Sequence, residues 1–194
     1  MIPTIKILEK QEIHNQRYHL NQYIFHFTKG DLRTETHSRI VFHRGNGSNI
    51  LLFNPESKNI ILTRQFRLPT YLNGNPDGML LEVCAGTLEH ENPEECIIRE
   101  TEEETGFRIQ KVSKVFEAYM SPGSVTEMLH FFIGEYNHDM KVSSGGGLVE
   151  EQEDIEVVEM PFQEAIRMLE MGEIKDAKTI ILLQYAQIHN LLKI

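Results

Sequence analysis

The sequence predicts an α/β fold: a mixed sheet layered between helices as an α/β/α sandwich, preceded by an N-terminal β element. Three observations carry this. Short apolar runs bounded by Gly, Pro, Asn and Asp fill the chain up to Ala85, a glycine-bracketed helix follows at 93–104, and helical apolar spacing returns only after Pro161.

In chain order, Tyr18 to Thr28 and Glu35 to His43 read as strands joined by a turn at Lys29-Gly30-Asp31, and Arg44-Gly-Asn-Gly47 closes this part. The division expected is a β element over 1–45 and a main domain over 46–194. Ile50 to Phe53 and Asn59 to Arg64 are apolar enough for buried strands, with Asn54-Pro-Glu-Ser57 as the turn between them. A loop spans Thr70 to Asp77, and Met79 to Ala85 forms one strand leading into the helix. Val112 to Tyr119, Met128 to Tyr136 and Ile155 to Glu159 are further strands. In the segments Phe162 to Met171 and Lys178 to Leu192, apolar residues such as Ile166 and Leu169, then Ile181, Tyr185 and Ile188, recur at helical spacing.

The chain has 194 residues and 40% hydrophobic content, enough for one substantial core. Its formal net charge of −10 argues against nucleic acid and against an anionic membrane surface as partners. Cys84 and Cys96 lack paired ligand spacing and read as reduced thiols in a core. Charges interrupt the first ten residues before any signal-peptide core develops, and no apolar run approaches the ~20 residues of a membrane span. A cytoplasmic location is the expectation.

The helix at 93–104 concentrates the chemistry. Asn92 suits the N-cap, Pro93 the first helical position, Glu95 the third position of a capping box, and Gly106 the left-handed residue after the end. Glu100, Glu103 and Glu104 then share one face at about 5–6 Å, with Arg99 as the helix's basic side chain. A charged helix face is ordinarily solvated surface, the reading kept for Glu94, Glu95 and Glu102. Here the flanking glycines and the order Arg99-Glu100 before Glu103-Glu104 favour a site for Mg²⁺, with Mn²⁺ as the alternative. Such hard cations are held by one or two carboxylates together with a substrate's phosphates.

Hydrolytic phosphate chemistry at such a site needs the phosphate charge neutralised and a water activated in line. Glu100 and Glu104 lead as ligands. A carboxylate committed to metal is a poor base, so Glu150, Glu151 and Glu153 are the alternatives for that role. They follow Ser143-Ser-Gly-Gly-Gly147, which suits a hinge closing over substrate. Arg64 and Arg67 place two guanidinium forks at a strand end. The nine histidines make no zinc motif.

The segment Gly86 to Phe107 resembles the Nudix box, through Arg99, Glu100, Glu103, Glu104, Gly106 and Phe107. Two positions depart from it: the interval from Gly86 to Glu91 is one residue short, and Thr101 fills a usually apolar place. Pro122, sixteen positions after Gly106, is similar to the branch of Nudix hydrolases acting on ADP-ribose and other nucleoside diphosphate sugars. The stretch Tyr119 to Glu127 resembles the members of that branch that hydrolyse GDP-mannose, as do Arg44 to Gly47, Arg64 to Arg67, Gly145 to Gly147, Glu151 to Ile155, and Lys178-Thr179.

The resemblance implies a Nudix-type sandwich that cuts the diphosphate of a nucleotide sugar, GDP-mannose before ADP-ribose, to a nucleoside monophosphate and a sugar phosphate. A non-catalytic nucleotide-sugar sensor is the reading from another class. The implied metal ligands are Ala85 through its carbonyl, Glu100, Glu104 and Glu153, with Glu151 as base and Glu103 as a water-bridged partner in the chemistry. Substrate contacts are implied at Arg17, Ser38, Arg39, Ile40, Arg67, Gly86, Thr87, Glu127 and Lys178, although Arg17 and Ser38 differ from the residues the GDP-mannose enzymes carry there. A homodimer is implied too, with N-terminal strands packed across the partner.

Overall fold

A computed structural model describes residues 2–30 and 32–192. The class is the expected one, α/β with an N-terminal β element. The chain forms two compact units: residues up to Asn46 with Tyr119–Leu129, and Gly47–Ala118 with the residues from His130 on.

In the first unit, β1 (Thr4–Asn15), β2 (His19–Thr28) and β3 (Thr34–His43) form an antiparallel sheet in that order. The β2–β3 register runs from His19 opposite His43 to Thr28 opposite Thr34. Lys29 N–H donates to the carbonyl of Arg33 at 2.8 Å and closes the hairpin, while Asp31 of the expected turn lies outside the described residues. The returning segment pairs Val125 with Phe42 in a parallel bridge. Strand β1 is absent from the sequence prediction for a physical reason. Its register slips between Ile7 and Glu9 and again between Glu12 and His14, so Ile5, Ile7, Leu8 and Ile13 do not keep the period of two that marks a strand.

The second unit holds a seven-stranded sheet with the path β10-β5-β4-β9-β8, to which β6 adds beside β5 and β7 beside β4. The strands are β4 (Gly47–Phe53), β5 (Asn59–Phe66), β6 (Met79–Glu82), β7 (Cys84–Thr87), β8 (Ser113–Tyr119), β9 (Met128–Glu135) and β10 (Glu156–Pro161). Strands β4 and β5 pair only at Leu52–Ile61 and Phe53–Ile60 before they part. The gap is filled from both sides: β6 pairs with β5 from Thr63–Glu82 to Phe66–Met79, and β7 with β4 from Gly47–Thr87 to Ile50–Cys84. The single strand expected over Met79 to Ala85 is therefore two, and the chain changes partner at Val83. Its N–H leaves the ladder and donates to Thr179 Oγ1 at 2.8 Å.

Every residue of β4 is buried, which requires cover on both faces. The helices α2 (Pro93–Thr105) and α4 (Ala177–Ile188) both pack on it. Ile97 from α2 joins Ile50, Leu52, Ile61, Cys84, Phe107, Ile109, Phe132 and Tyr136 in one core cluster. The short α3 (Phe162–Glu170) lies on β10. The expected loop at Thr70 to Asp77 overlaps a five-residue helix, α1 (Leu68–Leu72), which Pro69 favours and which Thr70 Oγ1 secures by donating to the carbonyl of Arg67 at 2.9 Å. Both cysteines are free and buried, and no helix among the described residues is long and apolar enough to cross a membrane.

Candidate active site

Helix α2 begins and ends where its caps dictate. Asn92 Oδ1 accepts from the N–H groups of Glu94 and Glu95, both at 3.0 Å, and Gly106 closes the helix at φ 76°. The row facing the sheet is Cys96, Ile97, Thr101, Glu104 and Thr105, all buried. Thr101 satisfies its hydroxyl by donating to the carbonyl of Ile97 at 2.6 Å, which is how a polar residue fills an apolar slot of the motif.

That face places two carboxylates against β7. Glu104, 2% exposed, accepts from the N–H of Ala85 at 3.2 Å through Oε2. Glu100 lies over Gly86 so closely that a β-carbon there would stand 2.1 Å from its Cδ. Burial lifts the Glu104 carboxyl to about 8, helped by the charges of Glu100 and Glu153 and opposed by hydrogen bonds from Cys84 and Ala85. Burial likewise lifts Glu100 to about 7, with Arg99 pulling it down and Glu103 and Glu153 pushing it up. Burial, and then the neighbouring negative charge of Glu104, push the Cys84 thiol up as well.

Arg99 supplies the counter-charge. Its guanidinium reaches Glu91 at 2.7 Å, Glu103 at 2.7 Å and Glu100 at 3.0 Å. The bond from Arg99 pulls the Glu91 carboxyl down to about 2. The shortened interval before Glu91 thus still delivers a carboxylate to Arg99.

The glycine segment after Ser144 does not hang free as a hinge. Gly146 N–H donates to the carbonyl of Glu104 at 2.9 Å and Gly147 N–H to that of Glu103 at 3.1 Å, so this segment supplies partners for the last turn of α2. Gly145, at φ 70°, passes so near that a β-carbon would lie 2.5 Å from the Glu104 carbonyl oxygen. Beyond it, Glu153 folds back and accepts from Leu148 N–H at 3.0 Å. Glu150 and Glu151 lie in the 3-10 turn Val149–Glu151 on the surface.

A second cluster adjoins these carboxylates and was not anticipated as a unit. Glu82, 3% exposed, accepts from Arg67 Nε at 2.6 Å and from Lys178 Nζ at 3.0 Å. Lys178 also reaches Asp176 at 2.7 Å. Burial pushes Lys178 down, but Glu82 and Asp176 more than reverse this and leave it above its ordinary range. Arg67, likewise lowered by burial and raised by Glu82, also feels the charges of Glu104 and Asp176, which puts the cluster beside the α2 carboxylates. The sequence signal was a lone carboxylate in the otherwise apolar run Met79 to Ala85.

In the second unit, then, Ala85, Gly86, Glu100, Glu103, Glu104 and Glu153 come together, with Arg67 and Lys178 alongside. Thr87, the last residue of β7, has its carbonyl against Cys96 Sγ at 3.7 Å. Apart from Glu151 on its surface turn, the remaining sequence candidates belong to the first unit. Ser38 Oγ accepts from Gln22 at 2.9 Å, Arg39 Nη1 donates to the carbonyl of Ser38 at 2.7 Å, and Arg17 lies 5.6 Å from the ring centroid of Tyr18. Ile40 is exposed, and Glu127 pairs with Arg44 at 3.2 Å. Arg39 also lines an apolar cavity of about 740 Å³ with Ile5, Ile7, Phe25, Tyr119 and Pro122.

The second unit fits a divalent cation. Among the described residues no three His, Cys, Asp or Glu side chains close on one point, but hard cations with retained waters require only one or two carboxylates. Glu100 and Glu104, each forced toward its neutral form by burial and by neighbouring carboxylates (Glu103 and Glu153 on Glu100, Glu100 and Glu153 on Glu104), form a donor set that a cation would relieve.

Residues 43–183 match the model of the NUDIX domain. The chain belongs to that family and is a Nudix hydrolase. It is similar over 100% of both chains, at 52% identity, to a protein of Yersinia enterocolitica named GDP-mannose pyrophosphatase. A protein of the same name from Pectobacterium atrosepticum is 51% identical over 96% of this chain and 95% of the relative, and one from Shigella flexneri is 44% identical over 99% and 100%. The family's divalent-metal chemistry agrees with the donor set described.

Proposed function

We propose that this chain hydrolyses the diphosphate of a nucleoside diphosphate sugar in a Mg²⁺-dependent reaction, with GDP-mannose as the favoured substrate and a nucleoside monophosphate and a sugar 1-phosphate as products. The observation that carries it is the pair of charge-frustrated carboxylates, buried Glu104 and half-buried Glu100, held against Ala85 and Gly86. Three relatives of the same printed name, aligned almost end to end, support the substrate.

Glu100, Glu104 and Glu153, with the carbonyl of Ala85, would hold the cation, whose chemistry when bound would be to offset charge on the phosphate oxygens and lower the pKa of a nearby water. Glu153 is the better ligand of the two loop carboxylates, because its charge acts on both Glu100 and Glu104. Glu151 takes the proton as water attacks phosphorus, the bridging P–O bond breaks, and the departing phosphate carries off the electron pair. Glu103, held by Arg99, orients water at the edge of the site. Arg67 and Lys178 take the diphosphate oxygens and the backbone at Gly86 and Thr87 lies along them, while Arg17, Ser38, Arg39, Ile40 and Glu127 recognise the base and sugar.

A homodimer is part of this reading. All twelve residues of β1 are exposed, Ile5, Ile7, Leu8 and Ile13 among them, as a monomer would leave them and a partner would cover them. Light scattering on the purified protein is expected to give twice the chain mass; a monomer at micromolar concentration would remove this element.

The deciding experiment is turnover of a panel of nucleotide sugars, ADP-ribose included, with and without Mg²⁺, by wild type and Glu104→Gln. Wild type is expected to prefer GDP-mannose and the variant to lose at least about a hundredfold in kcat/KM. Equal rates in the two proteins would refute the metal assignment, and a preference for ADP-ribose would replace the substrate.

A further inference from the structure

Glu82 has no place in the box, is almost fully buried, and carries two cations on its two oxygens. A buried carboxylate is costly unless paired, so its pairing geometry matters. Arg67 bonds Glu82 through Nε, which leaves the outward edge of the fork, Nη1 and Nη2, available for two parallel bonds to a phosphate. Lys178 gives one donor to Glu82 and one to Asp176, and an ammonium has a third.

These side chains are fixed by a closed ring of bonds. Asp176 caps α4 by accepting from Thr179 N–H at 2.9 Å and also takes the Thr179 hydroxyl at 2.7 Å. Thr179 Oγ1 in turn accepts from Val83 N–H, the residue next to Glu82. The main chain of Glu82 is itself held, its carbonyl accepting from Thr63 Oγ1 at 3.3 Å. The ring therefore ties the first turn of α4 to Val83, where the chain switches from β6 to β7, two residues before Ala85 and three before Gly86.

We propose that Glu82 is a positioning residue for the diphosphate: its two oxygens set the spacing and orientation of Arg67 and Lys178 so that both present donors to the same phosphate pair. This rests on the preceding reading that these two cations take the substrate's diphosphate. The pre-formed arrangement spares the substrate the work of ordering two long side chains. Replacing one oxygen by an amide sets a donor against a cation and releases either Arg67 or Lys178.

The test is steady-state kinetics with GDP-mannose and saturating Mg²⁺ on Glu82→Gln, Arg67→Ala, Lys178→Ala, and Glu82→Gln in the Arg67→Ala/Lys178→Ala background. Glu82→Gln is expected to raise KM about tenfold or more with kcat within about threefold, the signature of lost ground-state binding. It should add nothing once both cations are gone. Unchanged KM in Arg67→Ala and Lys178→Ala would defeat the underlying diphosphate reading. A raised KM in those two with an unchanged KM in Glu82→Gln, or a fall in kcat alone, would overturn the positioning role. Should Glu82→Gln not fold, Glu82→Asp keeps the charge but shortens the reach; its KM is expected to rise, and an unchanged value would overturn the proposal.

Discussion

The carboxylate of Glu100 occupies the space where Gly86 would carry a side chain: a β-carbon there falls 2.1 Å from Glu100 Cδ and 2.2 Å from Oε1. The glycine before the helix is required by this contact from α2. Gly86→Ala meets a flexible side chain rather than backbone, so the strand survives and the carboxylate swings away. The Mg²⁺ concentration for half-activation is expected to rise about tenfold or more, with a melting temperature close to wild type. Metal titration of activity and circular dichroism measure the two.

Stability of the metal-free protein is expected to fall as pH rises from about 4.5 to about 8. The sign follows from proton counting. Glu100 and Glu104 have folded-state values near 7 and 8 against an ordinary 4.5, so across that window the folded state binds more protons than the unfolded one. Thermal melts in EDTA should show the decline, and Mg²⁺ should offset it above neutrality by favouring the ionised pair. A flat or rising EDTA profile would contradict the burial argument.

Arg67→Lys is expected to raise KM about tenfold while leaving the fold intact. An ammonium that keeps the bond to Glu82 has no second, parallel pair of donors to offer a phosphate. Kinetics on this variant beside Arg67→Ala should show the two nearly equal.

Thr179→Val removes the acceptor of Val83 N–H and one of the donors to Asp176. The exchange conserves shape but strands a buried amide, and urea unfolding is expected to register a loss of about 1–3 kcal/mol. Loss within experimental error would mean that the β6–β7 switch is held by something else.

The carboxylate face of α2 was legible because its determinants are local: an N-cap, a proline, a spacing of three and four, and a glycine at φ 76°. Strands β4 and β5 were legible because unbroken apolar runs mark burial on both faces. The break at Val83 was not, since it depends on a hydroxyl from Thr179, far along the chain. Strand β1 was hidden by its two register slips. Glu82 illustrates the same limit within the site: a single acidic residue in an apolar strand signals that partners exist, but only the folded chain identifies Arg67 and Lys178 as those partners.

The last carbonyls of α2 take their hydrogens from Gly146 and Gly147, and this has a thermodynamic corollary. Glu153, remote from α2 in the chain, accepts from Leu148 N–H immediately after that clamp, so denaturant that frays the final turn of the helix loosens Glu104 and the loop carrying Glu153 in one event. The carboxylate cluster should assemble and dissolve cooperatively, with no intermediate in which the surface loop alone has loosened.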